Sequence, residues 1–185
     1  MSPRTISLGT VLVVGGCGFL GSHVVDQLLN FPSEDDLPAG TKSAPSGTPQ
    51  HAPSSLSTAP PSDPATWEFP SLRERYPSYT ATSVHVLDLR CNRNRFAGAT
   101  YHEGDITDPS SLLTVFRAVK PHVVINSASG MYDAPKHVLQ KVNIEGTKCL
   151  VEVAGGVHGD WGGKCKAFVH TSSASVIHDS VSDLA

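Results

Sequence analysis

Residues 11–21, VLVVGGCGFLG, constrain the fold of this chain more than any other stretch. The short β-branched run that ends at glycine predicts a buried strand over residues 10–14. The residues that follow have apolar positions at helical spacing and predict a helix over residues 19–30. The stripe expected to face the sheet consists of Leu20, Val24 and Leu28, with Val25 and Leu29 beside it. A strand that turns through glycines into a helix is the opening of a βαβ unit.

The same alternation of strand and helix continues along the chain. Short apolar runs predict further strands at residues 83–88, 100–105, 121–126 and 167–171. Asp108 and Pro109 favour a helix start, as an acidic N-cap followed by proline at the first helical position. A second helical pattern covers residues 136–154 and stops at two glycines. The pattern predicts an α/β fold, a Rossmann-like doubly wound parallel sheet of about five strands.

Residues 31–80 break this pattern. They hold ten of the fourteen prolines and many Ser, Thr and Ala residues, with no apolar period. Such a segment buries too little apolar surface to offset the entropy of ordering it, so we expect a disordered, low-complexity Pro/Ser-rich insertion. The expected domain organisation is a Rossmann domain made of residues 1–30 and 81–185, incomplete at its C-terminal end and interrupted by this insertion.

Charge and cysteine usage narrow the function classes. The net charge of -3 provides no basic surplus for a phosphate backbone, so nucleic acid is not an expected partner. No apolar run approaches the length of about 20 residues that spans a bilayer. The four cysteines are far apart in sequence, which is typical of free thiols in a reducing compartment. The histidines and cysteines form no metal-binding motif, so no metal is expected.

The three spaced glycines predict a dinucleotide site. Gly15 suits the tight turn, Gly18 lets the backbone approach a pyrophosphate, and Gly21 lets the helix pack close to the strand. Once the insertion is subtracted, Asp88 lies where an acid usually binds the adenosine ribose. Its charge favours NAD over NADP, although Arg90 and Arg93 are near enough to weaken that preference.

Six segments together carry a family resemblance: GGCGFLGSHVV, VLDLRCNRNRF, YHEGDITDPSSL, KPHVVINSAS, KVNIEGTKCLVEVA and FVHTSSASVIHD. The chain resembles the extended short-chain dehydrogenase/reductases, specifically their 3β-hydroxysteroid dehydrogenase branch and its fungal 4α-carboxysterol members. The resemblance implies Ser173 as the catalytic serine and Asn143 as a helix residue that braces the fourth strand. The cofactor-binding positions that it implies are Gly15, Gly18, Phe19, Leu20, Gly21, Asp88, Arg90, Asp105, Ile106, Ser127, Ala128 and Ser129.

The resemblance also implies a reaction. Family members oxidise a sterol 3β-hydroxyl with NAD(P), and the 4α-carboxysterol enzymes of ergosterol synthesis then release CO₂. A Tyr-x-x-x-Lys pair after the fifth strand supplies the base, but this chain reaches Ala185 before such a pair. Tyr132 and Lys136 have the right spacing, but they follow the fourth strand and Pro135 disfavours a shared helical face, so we interpret them as non-catalytic. We expect a cofactor-binding fragment that is inactive alone.

Two other functions fit the same motifs. One is a non-catalytic NAD(H)-binding module, and the other is an enzyme like the nucleotide-sugar epimerases or dihydroflavonol reductases, which share the glycine loop. For the whole protein, the resemblance implies a sterol substrate, partners in a sterol C4-demethylation complex, a possible homodimer, and association with the cytoplasmic side of the endoplasmic reticulum membrane.

Overall fold

The computed structural model describes residues 6–30, 79–131 and 133–173. The chain forms five strands and three helices in this part: β1 (Ile6–Val14), α1 (Phe19–Asn30), β2 (Tyr79–Asp88), β3 (Ala99–Glu103), α2 (Pro109–Val119), β4 (Val123–Asn126), α3 and β5 (Ala167–His170). Helix α3 is continuous, and its α-helical segments Lys136–Leu139 and Thr147–Ala154 flank a π-helical segment, Gln140–Gly146. The predicted insertion lies outside the described residues, except for its last two.

The strands form one parallel sheet in the order β3-β2-β1-β4-β5. This arrangement confirms the predicted Rossmann-like α/β fold. The chain moves outward from β1 through β2 to β3 and then returns to place β4 on the other side of β1. The strand order therefore reverses between β1 and β4, and open α/β sheets bind ligands at the carboxyl end of such a reversal.

Strands β1 and β2 are longer than the sequence predicts. Tyr79 and Thr80 pair with Ile6 and Ser7 and so belong to β2 rather than to the insertion. This end of the pair contains an irregularity in register around Gly9, which has a φ of 67°. These strand ends mix apolar and polar side chains that are exposed or half-buried, so they lack the continuous apolar run of the buried part. For this reason the prediction began both strands too late.

Each face of the sheet carries its own core, because successive side chains of a strand point to opposite faces. Leu12 and Val14 of β1 face α2 and α3. In the same core, the rings of Phe116 and Trp161 pack edge to face, with their centroids 5.4 Å apart. Val11 and Val13 face α1. The apolar face of α2, with Val115, Phe116 and Val119, is buried in the first of these cores.

The contact line of α1 differs from the prediction. Leu20 was expected on the inner stripe but is 50% exposed, whereas Val25 is fully buried and Gly21 is also buried. Val24, Leu28 and Leu29 only border the core. The reason is that the backbone of Gly21 packs against the turn after β1, which rotates the helix so that Gly21 and Val25 face the sheet.

The ends of α2 agree with the sequence, but the interior of α3 does not. Asp108 caps α2 by accepting a hydrogen bond from the Ser110 N–H, with Pro109 at the first position. The π-helical turn in α3 has no counterpart in the prediction, since an apolar period does not distinguish an extra residue per turn. Such turns are frequent at functional sites.

Candidate functional site

The turn after β1 is built from glycines that the fold requires. Gly15 has a φ of 78°, and its N–H donates to the Leu87 carbonyl oxygen at 2.8 Å. A Cβ on Gly15 would lie 2.6 Å from the Ala128 nitrogen, which is closer than any real contact. A Cβ on Gly21 would collide with the Gly15 carbonyl oxygen. These two glycines therefore hold α1, β1 and the loop after β4 close together.

Gly18 is less constrained by packing than Gly15 and Gly21. Its φ is not in the left-handed region, and an added Cβ would contact only the Gly15 carbonyl oxygen, at 3.1 Å. Gly18 lies at the N-terminal end of α1, on the wall of a cavity that opens beside the glycine turn. Because Gly18 has no side chain, this part of the cavity stays open for a ligand.

Asp88, the last residue of β2, is connected to this turn. The Cys17 N–H donates to Asp88 Oδ2 at 3.0 Å, and Asn94 Nδ2 donates to the Cys17 carbonyl oxygen at 2.9 Å. The carboxylate is thereby fixed beside the glycine turn. Within the part of the chain that the structure describes, only Oδ2 has a hydrogen bond, so the carboxylate keeps acceptor capacity for a ligand.

A cavity of about 680 Å³ opens along the carboxyl ends of β1, β2, β3 and β4. Its volume lies within the range of small-molecule sites, roughly 300–1,000 Å³. The lining residues are Val14, Gly15, Gly18, Phe19, Leu87, Asp88, Leu89, Arg93, Gly104, Asp105, Ile106, Ser127, Ala128, Ser129, Gly130, Met131, Val138 and Val142. The cavity thus lies at the reversal of strand order.

Most of the predicted cofactor positions meet at this cavity. Those on its wall are Gly15, Gly18, Phe19, Asp88, Asp105, Ile106, Ser127, Ala128 and Ser129. Gly21 lies behind the glycine turn and acts through packing. Leu20 is half-exposed and Arg90 is exposed, and neither lines the cavity. Arg93 lines it instead, three residues further along the loop.

The wall below β4 is held by the π-helical turn of α3. Asn143 Oδ1 accepts hydrogen bonds from the Gly130 N–H at 2.8 Å and from Ser129 Oγ at 3.3 Å. The extra residue in this turn places Asn143 against the loop after β4. The geometry supports the bracing role that the family resemblance implies, although the π-helical conformation was not anticipated.

Asn126 is a buried polar residue that the sequence reading did not select. Its Nδ2 lies 3.4 Å from Thr147 Oγ1 and 3.2 Å from His170 Nδ1, and its Oδ1 accepts from the Ala128 N–H at 3.1 Å. Asn126 therefore joins the ends of β4 and β5 to α3. The sequence did contain a signal for this residue, because Asn126 is the one polar residue at the end of the apolar strand β4.

Ser173 lies on the segment that leaves β5 and is exposed. Two residues earlier, the Thr171 N–H and Oγ1 both donate to the Asn126 carbonyl oxygen. Ser173 is not among the cavity-lining residues. Tyr132 lies outside the described residues, so the interpretation of Tyr132 and Lys136 as non-catalytic stays a prediction.

Several cavity residues were absent from the prediction. Gly104 precedes Asp105 and comes close to α2, since a Cβ there would lie 2.7 Å from Ser111 Oγ. Gly130, Met131, Val138 and Val142 form the wall on the α3 side. The glycine before Asp105 could have been identified as a point of close approach, but the α3 side depends on the π-helical turn.

Among the described residues, no helix is long and apolar enough to cross a membrane.

Sequence comparison gives a family match. The profile of the 3-beta hydroxysteroid dehydrogenase/isomerase family matches residues 78–184. A sterol-4-alpha-carboxylate 3-dehydrogenase, decarboxylating, from Candida albicans is 28% identical over 92% of the chain, and the Saccharomyces cerevisiae protein of the same name is 23% identical over 92%. The chain spans 36% of the length of each of these curated relatives.

Solved structures agree on the fold. The Bordetella bronchiseptica enzyme WbmG in complex with NAD has a TM-score of 0.53 at 19% identity, over 94% of this chain and 40% of that chain. A Thermotoga maritima UDP-glucose 4-epimerase with UDP-glucose has a TM-score of 0.53 at 21% identity, over 94% of this chain and 41% of that chain. At these identities the likeness extends to the fold alone.

Proposed function

Because the chain belongs to the 3-beta hydroxysteroid dehydrogenase/isomerase family, we propose that it is the NAD-binding part of an oxidoreductase that acts on a sterol 3β-hydroxyl. The names of the yeast relatives support a 4α-carboxysterol as the substrate and decarboxylation as the second step. Residues 1–30 and 79–185 form the Rossmann domain in this proposal, since β2 begins at Tyr79. The sterol substrate, the complex partners and the association with the endoplasmic reticulum concern the whole protein.

One observation carries the proposal: the turn after β1 and the Asp88 carboxylate converge on one cavity. The N–H groups of Gly15, Cys17 and Gly18 already donate within the fold. The first turn of α1, which follows them, offers backbone N–H groups and the positive end of the helix dipole to a pyrophosphate. A Cβ on Gly18 would fill the space that the phosphates need. Asp88, anchored through Oδ2 to the Cys17 N–H, has capacity left for ribose hydroxyls. The residues present therefore fit a dinucleotide.

The rest of the cavity suits the other parts of the ligand. Asp105 and Ile106 line the side after β3, where the adenine would lie. Asp105 Oδ1 accepts from the Thr107 N–H and Oγ1, both at 2.8 Å, which fixes this loop. Ser127, Ala128 and Ser129 line the side after β4, towards the nicotinamide. When bound, the nicotinamide supplies the hydride chemistry.

In the proposed reaction, Ser173 donates a hydrogen bond to the substrate oxygen. Asn126 fixes the segment that leads to Ser173, because its carbonyl oxygen accepts both hydrogen bonds of Thr171. Tyr132 and Lys136 are not proposed as the proton-transferring pair, since Pro135 lies between them. Cofactor binding rather than turnover is therefore the activity to test in residues 1–185.

Gly18→Ala tests cofactor binding with little risk to the fold. NADH titrated into the purified chain should show enhanced fluorescence on binding, and Gly18→Ala should raise the Kd at least 10-fold, because the methyl group occupies phosphate space. Gly155→Ala is the matched control: it also lacks a left-handed φ, its Cβ would meet nothing closer than 3.4 Å, and it lies at the end of α3, outside the cavity.

The design separates binding from folding. Both variants should keep the circular dichroism spectrum and the urea midpoint of the unmodified chain within a small margin. If the unmodified chain gives no fluorescence enhancement at millimolar NADH, or if Gly18→Ala binds as tightly as Gly155→Ala, the proposed cofactor site is wrong.

A further inference from the structure

Two cysteines meet beside the proposed cofactor site. Cys17 lies in the glycine turn and Cys91 lies three residues after Asp88, and they are only 1% and 7% exposed. Both side chains belong to the buried core beneath α1. The backbone of Cys17 is hydrogen-bonded to Asp88 and Asn94, which lie on either side of Cys91 in sequence. Cys91 Sγ donates to the His102 carbonyl oxygen at 3.3 Å. The two thiols are therefore neighbours in one buried cluster.

The backbone around the two thiols is already connected. The Cys17 N–H binds Asp88 Oδ2, and the Cys17 carbonyl oxygen accepts from Asn94 Nδ2. The Cys91 N–H donates to Glu103 Oε1 at 3.0 Å. Cys17 and the segment around Cys91 are thus held in one position relative to each other.

We propose that Cys17 and Cys91 form a reversible intramolecular disulfide that lowers the affinity of the chain for its dinucleotide. The effect on affinity rests on the proposed function. The oxidant is a peroxide: one thiolate attacks a peroxide oxygen and becomes a sulfenic acid, with release of one water from H₂O₂. The other thiol sulfur then attacks the sulfenic sulfur, and a second water leaves. Two electrons pass from the two sulfurs to the peroxide.

Solvent exposure indicates the order of these steps. Burial, the first cause, and the neighbouring Cys91 raise the pKa of the Cys17 thiol to about 12. Burial also raises the pKa of Cys91, but its loop is open to solvent, since Leu89 is 65% exposed. Cys91 is therefore the thiol that meets peroxide first when this loop opens, and Cys17 resolves the sulfenic acid. Because both thiols are mostly protonated, oxidation should be slow.

The other two thiols cannot substitute for this pair. Cys149 belongs to the core on the opposite face of the sheet, and Cys165 packs against that same core. Cys17 and Cys91 belong to the core beneath α1. The sheet separates the two pairs, so a disulfide between a member of each pair would require unfolding.

The disulfide would reach the cofactor through the glycine turn. The two neighbouring sulfurs must approach to about 2.05 Å when they bond covalently. That movement pulls the turn towards the loop after β2 and strains the hydrogen bond between the Cys17 N–H and Asp88. The pyrophosphate and ribose ends of the site would then no longer match one dinucleotide.

The test combines pairing and affinity on the same chain. The reduced chain is incubated with hydrogen peroxide, free thiols are blocked, and peptide mass spectrometry identifies any disulfide. NADH affinity is measured before oxidation, after oxidation, and after dithiothreitol. We expect a Cys17–Cys91 disulfide, a Kd at least 10-fold higher in the oxidised chain, and full recovery on reduction. In Cys17→Ala and in Cys91→Ala, peroxide treatment should leave the NADH affinity of the variant unchanged. Cys165→Ser should respond to peroxide like the unmodified chain.

Each remaining outcome overturns the proposal. No disulfide, a disulfide with Cys149 or Cys165, or a Cys17–Cys91 disulfide that leaves NADH affinity unchanged would all contradict it. If the reduced chain fails to bind NADH, the proposed function fails and the effect on affinity falls with it. Mass spectrometry still reads the pairing in that case, so the two failures are distinguishable. If one alanine variant does not fold, the other alone decides whether peroxide sensitivity needs the pair.

Discussion

Replacing Asp88 with asparagine should change which dinucleotide the chain prefers. Asparagine keeps one side-chain oxygen, which can still accept the hydrogen bond from the Cys17 N–H that Oδ2 accepts at 3.0 Å. The glycine turn should therefore stay in place. What disappears is the negative charge and the second acceptor oxygen, the groups that we assign to the adenosine ribose.

The size of the change follows from these two losses. A hydrogen bond to a charged group contributes about 1.5–3 kcal/mol, so the Kd for NADH should rise about 10- to 100-fold. A 2′-phosphate about 4 Å from the carboxylate is repelled by about 1 kcal/mol in water and by about 4 kcal/mol near a protein surface. Asp88 is half-buried, so relief of this repulsion should improve NADPH binding. The NADH-to-NADPH preference should fall by at least about 50-fold in total.

The assay is a parallel fluorescence titration of Asp88→Asn with NADH and NADPH. Asp26→Asn is the control, because it removes the same charge from the exposed side of α1, where Asp26 Oδ1 accepts from Asn30 Nδ2. The control should leave the preference unchanged. An Asp88→Asn variant that retains both the NADH affinity and the NADH preference of the unmodified chain would refute the assignment of Asp88 to the ribose.

Two further predictions concern stability. Phe116→Ala should lower the free energy of unfolding by about 3–5 kcal/mol, read from urea denaturation, because Phe116 is fully buried and packs on Trp161. A loss below about 1 kcal/mol would mean that this core is loosely packed. Burial lowers the pKa of both His85 and His102, whose ring nitrogens lie 3.1 Å apart. The unfolded chain therefore takes up protons first, and stability should fall as the pH drops below about 6.5. Thermal melts at pH 7.5 and 5.5 check this, and the decrease should be smaller in His102→Gln; an equal decrease would contradict it.

The sequence predicted most of the fold because the strong signals are local. The buried strand before Gly15 and the cap formed by Asp108 and Pro109 depend on a few neighbouring residues, and the structure confirms both. Parallel pairing and strand order then follow from the alternation of strands and helices. The same local signals led the prediction to place Leu20 inside, because a helical period does not reveal how closely Gly21 approaches the sheet.

The candidate site was predictable where the role of a residue follows from its type and its position after a strand. Gly15, Gly18 and Asp88 meet at the cavity because each ends or closely follows a strand at the same sheet edge. The α3 side was not predictable in this way. The position of Asn143 depends on a π-helical turn, and the role of Asn126 depends on Thr147 and His170, which only the tertiary structure brings together.

The most direct test of a dinucleotide site in this cavity is amide chemical-shift mapping of the ¹⁵N-labelled chain with NAD⁺. The account predicts saturable shifts concentrated in three stretches: residues 15–18 of the glycine turn, residues 104–106 after β3, and residues 127–130 after β4. The amides of β5 should change little. Shifts that are absent at millimolar NAD⁺, or that cluster away from these three loops, would contradict the account.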